Sequence, residues 1–159
     1  MQLLPRAAFL ASLPRKRVIA SALIRDPEER VLCVDPAYKK SWHLPGGSVE
    51  EGESPSDACA RECWEELGVA VQLGRLLAVG HLAPEHDDPH GALVFVYEAS
   101  IGSIEATELS VPPEELDGVA YLDQGRRREL LSPLAQRLVD TGLEAVVGGH
   151  VVEFDREEA

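Results

Sequence analysis

Residues Gly47 to Val69 read GSVEEGESPSDACARECWEELGV, and the rest of the chain is best read outward from them. Ser54-Pro55-Ser56-Asp57 has the chemistry of a helix start. Ser54 can cap, Pro55 suits the first helical position, and Asp57 completes an S-x-x-D capping box. Gly68 is placed to end the helix in a left-handed conformation, so the stretch predicts a helix over 55–67. Within it Glu62, Glu65 and Glu66 stand at i, i+3 and i+4 and share a face. Ala60, Cys63, Trp64 and Leu67 gather on the opposite side and are expected to form the buried stripe. Arg61 can reach Asp57 and Glu65, one turn before and after it. Three crowded carboxylates repel. They form either a solvated acidic face tempered by Arg61, or an oxygen site for a hard divalent cation shared with substrate phosphates. Spacing alone supports both readings equally.

On the N-terminal side, Val18–Ile24 (VIASALI) is a short apolar run that predicts a buried strand. A turn at Asp26-Pro27-Glu28-Glu29 and a second strand over Arg30–Val34 then predict a hairpin. Pro36 to Gly47 reads as loop, with Trp42 and Leu44 as apolar anchors. On the C-terminal side, Val69–Leu82, broken by Gly74, predicts one long or bulged strand, and Pro84–His90 a polar loop. Strands follow over Ala92–Ala99 and Leu116–Leu122. Arg126–Val147 carries apolar residues at helical spacing, and 150–154 (HVVEF) reads as a short terminal strand. Mixed strands with an internal and a C-terminal helix give an α+β, or mixed α/β, layout.

Composition narrows the function. The 159 residues hold 15 Lys+Arg against 28 Asp+Glu, a formal charge of −13, which argues against a duplex nucleic-acid binder. With 45% apolar and 27% charged residues, the chain suits one globular domain with its own core. Cys33, Cys59 and Cys63 read as reduced thiols of a cytoplasmic protein. No segment offers the ~20 apolar residues of a membrane span. The N-terminal run is interrupted by Pro5 and Arg6, with its basic cluster Arg15-Lys16-Arg17 on the wrong side for a signal peptide. Residues 1–40 nevertheless carry eight basic and four acidic side chains, leaving seven basic and 24 acidic for the remainder. Either this is ordinary solvated surface, or the basic portion helps hold an anionic ligand.

Residues 47–69 resemble the Nudix box, G-x5-E-x7-R-E-U-x-E-E-x-G-U, where U is bulky and aliphatic. Gly47, Glu53, Arg61, Glu62, Glu65, Glu66, Gly68 and Val69 stand where the pattern asks, and Cys63 departs from it at the first U. The preceding W-H-L-P-G-G is similar to the family's lead-in. The resemblance implies a Nudix-type α/β/α sandwich with a mixed β-sheet. It divides the chain into an N-terminal arm (1–16), a Nudix hydrolase domain (17–147) and a C-terminal tail (148–159). It further implies metal-dependent hydrolysis, with Mg2+ or Mn2+, of a pyrophosphate bond in a nucleoside diphosphate linked to another moiety. Carried over by position, Glu62, Glu65, Glu66 and the Gly47 carbonyl would bind metal, while Glu53 and Arg61 would hold loop and helix in register. Outside the box, Glu98, Glu114 and Glu115 are candidates for the base that deprotonates water, Glu115 preferred. A homodimer is compatible with the resemblance. The alternative function is a catalytically silent nucleotide-binding sensor on the same fold, disfavoured by the intact acidic set.

Other residues carry weaker signals. His81, His86, Asp87, Asp88 and His90 form no compact metal pattern and read as a solvated loop. Cys59 and Cys63, one helical turn apart, read as packing. Tyr38 and Trp42 could stack on a nucleobase or anchor the core, and Arg25, Lys39 and Lys40 could meet phosphates or simply be solvated. No G-x-x-x-x-G-K-[ST] loop or G-x-S-x-G elbow is present, which removes the main support for P-loop and serine-hydrolase chemistry.

Overall fold

A computed structural model describes residues 4–38, 40–102, 104 and 108–155. Its elements in chain order are α1 (Arg6–Ser12), β1 (Arg17–Ile24), β2 (Val31–Pro36), β3 (Gly46–Ser48), α2 (Pro55–Leu67), β4 (Gln72–Leu82), β5 (Ala92–Ser100), β6 (Leu116–Leu122), α3 (Gln124–Leu130), α4 (Pro133–Gly148) and β7 (Val152–Asp155). The mixed α/β class expected from the pattern is observed. A five-stranded sheet has the order β3-β1-β5-β4-β7, and β2 and β6 form a separate two-stranded sheet.

Strand β1 explains the layering. It pairs in parallel with β5 (Ile19 opposite Val94) and antiparallel with the short edge strand β3 (Ser21 opposite Gly46). Its residues Ala20, Ala22 and Ile24 pack into one core with Ala58, Cys59, Cys63 and Leu67 of α2. Leu23, in the alternate phase, packs with Val94, Val96 and the α4 residues Leu138, Val139 and Ala145. A strand covered on both faces needs apolar residues in both phases, which is why VIASALI shows no alternation. Each fully buried Leu, Ile or Val contributes about 1.5–3 kcal/mol.

Two expectations are corrected. The hairpin does not form: Arg25 and Val31 make a single bridge, after which β2 leaves to pair with β6. The apolar run of β2 is buried in both phases too, so it belongs inside the fold rather than on a hairpin flank. The single C-terminal helix is two, because Ser132-Pro133 restarts it. The Ser132 hydroxyl accepts from Ala135 N–H at 3.2 Å, and Pro133, at the first helical position, donates no backbone hydrogen bond. The short terminal strand expected over 150–154 is observed as β7, which pairs in parallel with β4 and buries Phe154.

The bulge expected at Gly74 is observed as register shifts between Leu73, Leu76 and Ala78. Helix α1 buries none of its residues. No helix among the described residues is long and apolar enough to cross a membrane.

Candidate functional site

Helix α2 forms over the expected residues, held by the expected caps. The Ser54 hydroxyl accepts from Asp57 N–H at 3.1 Å and donates to the Asp57 carboxylate at 2.7 Å. Gly68, at φ 70°, donates its N–H to the Trp64 carbonyl at 3.0 Å.

The loop before the helix is clasped to it by Arg61. Arg61 Nε and Nη2 donate to the two Glu53 oxygens at 2.9 and 3.0 Å. Its Nη1 reaches Glu62 at 2.9 Å and Glu65 at 3.1 Å, and Nη2 also donates to the Ser48 carbonyl at 3.0 Å. A planar guanidinium with five fixed donors can bind this many acceptors at once, which a lysine could not. The bond from Arg61 holds the Glu53 carboxyl below its ordinary range. Asp57, the other partner that spacing offered, turns to Ser54 instead.

The three acids of the shared face end in different surroundings. Glu65 is exposed, Glu62 is half-buried, and Glu66 is only 7% exposed. Burial of Glu66 is a correction to the expected stripe, as is Trp64, which is 59% exposed. The buried face is centred on Ala58, Cys59, Cys63 and Leu67, so α2 is rotated toward β1 relative to that expectation. Glu66 therefore points inward at the edge strand, where its carboxylate accepts the Gly46 N–H at 2.9 Å. Burial pushes its carboxyl up to about 8, with Glu62, Glu115 and Glu65 adding repulsion and the Gly46 bond acting the other way. The Glu62 carboxyl is also raised, first by burial and then by Glu65 and Glu115, against the pull of Arg61.

Two glycines make this approach possible. A Cβ on Gly47 would lie 2.4 Å from the Glu62 carboxylate, so the strand backbone sits directly against that acid. Gly46 has φ +145°, and a Cβ there would lie 2.2 Å from the Ala20 carbonyl oxygen. Only glycine fits both demands.

These groups open onto a cleft of about 860 Å³. Glu62, Glu66, Gly47 and Glu115 line its acidic end, and Tyr38, Lys40 and Trp42 form part of its rim. Partial desolvation raises the Tyr38 phenol, with Glu66, Glu62 and Glu115 adding to the effect. The floor and far wall are apolar, with Ile19 and Val94 from the sheet and Leu134 and Leu138 from α4. Among the described residues no group of three or more His, Cys, Asp or Glu side chains is arranged to hold a metal ion by itself. An open acidic edge suits a hard cation that keeps waters and takes the rest of its shell from substrate phosphates.

The outlying candidates separate. Glu115 faces the cleft, whereas Glu98 lines a second cavity beside Arg25. Arg25 is paired there with Glu29 and Glu98, away from the acidic edge. Glu114 is exposed and is not among the cleft-lining residues. Lys39 lies outside the described residues. In the 84–90 loop Asp88 pairs with Arg17, and His81 contacts Asp155. Cys59 and Cys63 are buried in the core, as expected of packing residues. Arg17, Ser21, Ser132, Leu134 and Leu138 line the cleft but were not singled out as site residues, since they come from two distant segments with no shared motif.

The description "NUDIX domain" matches a family model over residues 15–151. Diphosphoinositol polyphosphate phosphohydrolase 2 of Rattus norvegicus is 39% identical over 83 residues, covering 52% of this chain and 45% of that protein. The chain thus aligns with about half the length of the curated relatives it matches. Among solved structures, a UDP-X diphosphatase superposes with TM-score 0.73 at 20% identity, covering 94% of this chain and 73% of that one. An ADP-ribose pyrophosphatase of Streptococcus suis gives 0.67 at 20% identity, covering 89% and 100%. The structural likenesses establish the same sandwich, and the family model extends over nearly all of the strands and helices that build the cleft. The chain belongs to the NUDIX domain family.

Proposed function

We propose that this chain hydrolyses the diphosphate bond of a nucleoside diphosphate linked to another moiety, using a divalent cation, Mg2+ or Mn2+. The observation that carries this reading is the unbalanced acidic edge. Glu62, Glu66 and Glu115 face one cleft, and burial together with the neighbouring acids raises the Glu66 carboxyl to about 8. The names of the three proteins reported above, a phosphohydrolase, a diphosphatase and a pyrophosphatase, support the same bond class.

The donor set fits a hard cation, because carboxylates crowded against a side-chain-free backbone lose their repulsion once one binds. Glu62, Glu65, Glu66 and the Gly47 carbonyl would hold it. When bound, such an ion supplies charge neutralisation and a lower water pKa. Glu53 and Arg61 are positioning residues: they lock the loop carrying Gly47 against the helix carrying the acids. We assign Glu115 as the base that takes a proton from the attacking water. The water oxygen bonds to phosphorus, the P–O anhydride bond breaks, and the leaving phosphate departs with its electron pair. The apolar floor would hold the substrate's organic part away from bulk water.

Phosphate release across nucleotide sugars, ADP-ribose, dinucleoside polyphosphates and oxidised nucleoside triphosphates tests the reading. Turnover of at least one, abolished in Glu115→Gln with an unchanged melting temperature, is expected. Absence of turnover across the panel with Mg2+ and Mn2+ would overturn it.

A further inference from the structure

The cleft has a second polar end. Arg17, Ile19 and Ser21 are alternate residues of β1 and all line it. Ser21 lies opposite Gly46, beside the acids, while Arg17 stands four residues away, about 13 Å along an extended strand. The lining also includes Ile19 with its strand neighbour Val94, and Leu134 and Leu138 of α4. A diphosphate alone does not fill such a trough. The middle suits a flat apolar body, and the far end suits a hydrogen-bond acceptor on that body's edge.

Arg17 is prepared for that contact. Its side chain is half exposed, and Nη2 donates to Asp88 at 2.9 Å. Asp88 is fixed in a compact turn, where it exchanges backbone hydrogen bonds with Glu85 and accepts from Gly91, whose carbonyl in turn receives the Arg17 N–H. A guanidinium has five N–H donors, so engagement by Asp88 leaves others for a ligand. The adjacent carboxylate also cancels much of the attraction for a second phosphate while leaving the donors in place. That combination favours a neutral acceptor over an anionic one.

We propose that Arg17 reads the keto edge of a nucleobase seated over Ile19 and Val94, with Asp88 as its positioning residue, so that guanine or uracil nucleotides are preferred over adenine. Adenine presents an amino donor where those bases present a carbonyl acceptor. This rests on the nucleoside diphosphate reading above.

The test uses GDP-glucose, UDP-glucose and ADP-glucose, which differ only in the base, together with calorimetric binding of GDP, UDP and ADP in Mg2+. The wild type should favour the keto bases in kcat/KM and in affinity by about tenfold to a hundredfold. Arg17→Met should erase that preference through KM with kcat little changed, leave ADP binding as it was, and melt at the parent temperature. Asp88→Asn should weaken the preference partially, and it decides the matter if the Met variant melts early. Equal affinity for all bases, or equal weakening of all three nucleotides in Arg17→Met, would overturn the proposal, the latter outcome marking a general anion contact. To separate it from a remote phosphate contact, ADP-ribose 2′-phosphate is compared with ADP-ribose, and a preference for the former that Arg17→Met removes would also overturn it. Hydrolysis without base preference would leave the diphosphatase reading standing, whereas binding and hydrolysis of none of these would overturn the base-reading proposal and leave the diphosphatase reading to the wider substrate panel.

Discussion

Two cavities in this molecule hold acidic side chains, and they treat charge in opposite ways. In the smaller one, Glu98 lies between Arg25 at 3.3 Å and Arg75 at 3.9 Å, and Arg25 also pairs with Glu29. Cations and carboxylates are matched there, and all are partly solvated. In the larger cleft Glu66 is buried, accepts one backbone hydrogen bond, and is raised to about 8 with carboxylates as its charged neighbours. Matched charges hold strands and turns together. A buried acid crowded by other acids, as Glu66 is, costs stability, and its persistence marks a place where a ligand completes the balance.

The sharpest way to break this contrast is to remove divalent cations. Excess EDTA should abolish turnover while circular dichroism and the melting temperature of the apo protein show an intact fold. Full activity in EDTA would mean that the acidic edge needs no cation. Next in size, Glu66→Gln should lower kcat by roughly 10²–10⁴, the scale of a positioned catalytic group. Its stability at pH 7 should hold or rise, measured by thermal melts beside the kinetics.

The glycines sharpen the comparison between backbone and site. Gly46→Ala forces a Cβ onto the Ala20 carbonyl at a strained φ and should cost about 2–4 kcal/mol of stability. Gly47→Ala meets only the movable end of Glu62, so it should lower kcat/KM about tenfold to a hundredfold with little loss of stability. Parallel denaturant titrations and kinetics on the two variants would show whether these effects separate.

The pH dependence of stability carries a sign. Glu66 binds its proton more tightly folded than unfolded, so its contribution is fully present below about pH 4.5 and is lost as pH rises through about 8. The metal-free wild type should therefore fall behind Glu66→Gln between those values, by about 1–3 kcal/mol, and match it below about pH 4.5. Curves that stay parallel across this range would contradict the buried, neutral state. The smallest effect belongs to the other cavity. Glu98→Gln should change stability by no more than about 0.5 kcal/mol and leave turnover at the parent rate.

Much of α2 was legible in advance because its signals are local. Ser54-Pro55, Asp57 and Gly68 fix both ends through contacts within one turn, and i, i+4 geometry puts Arg61 beside Glu65. The restart of the last helix was missed, although its signal is equally local. Ser132-Pro133 repeats the Ser54-Pro55 signal, but the leucine periodicity running across it obscured the break.

What the sequence determined by itself is thus the ends of α2, the strand Leu116–Leu122, the mixed α/β class and the acidic face of the box. Tertiary structure alone decided that β1 pairs with β5 rather than β2, that Glu66 is buried while Trp64 is exposed, and that Arg17 rather than Arg25 reaches the cleft. The reason is the range of the forces. Caps and turns are satisfied by residues a few positions apart, whereas burial depends on which face of an element a distant segment covers, and that follows only once the sheet order is set.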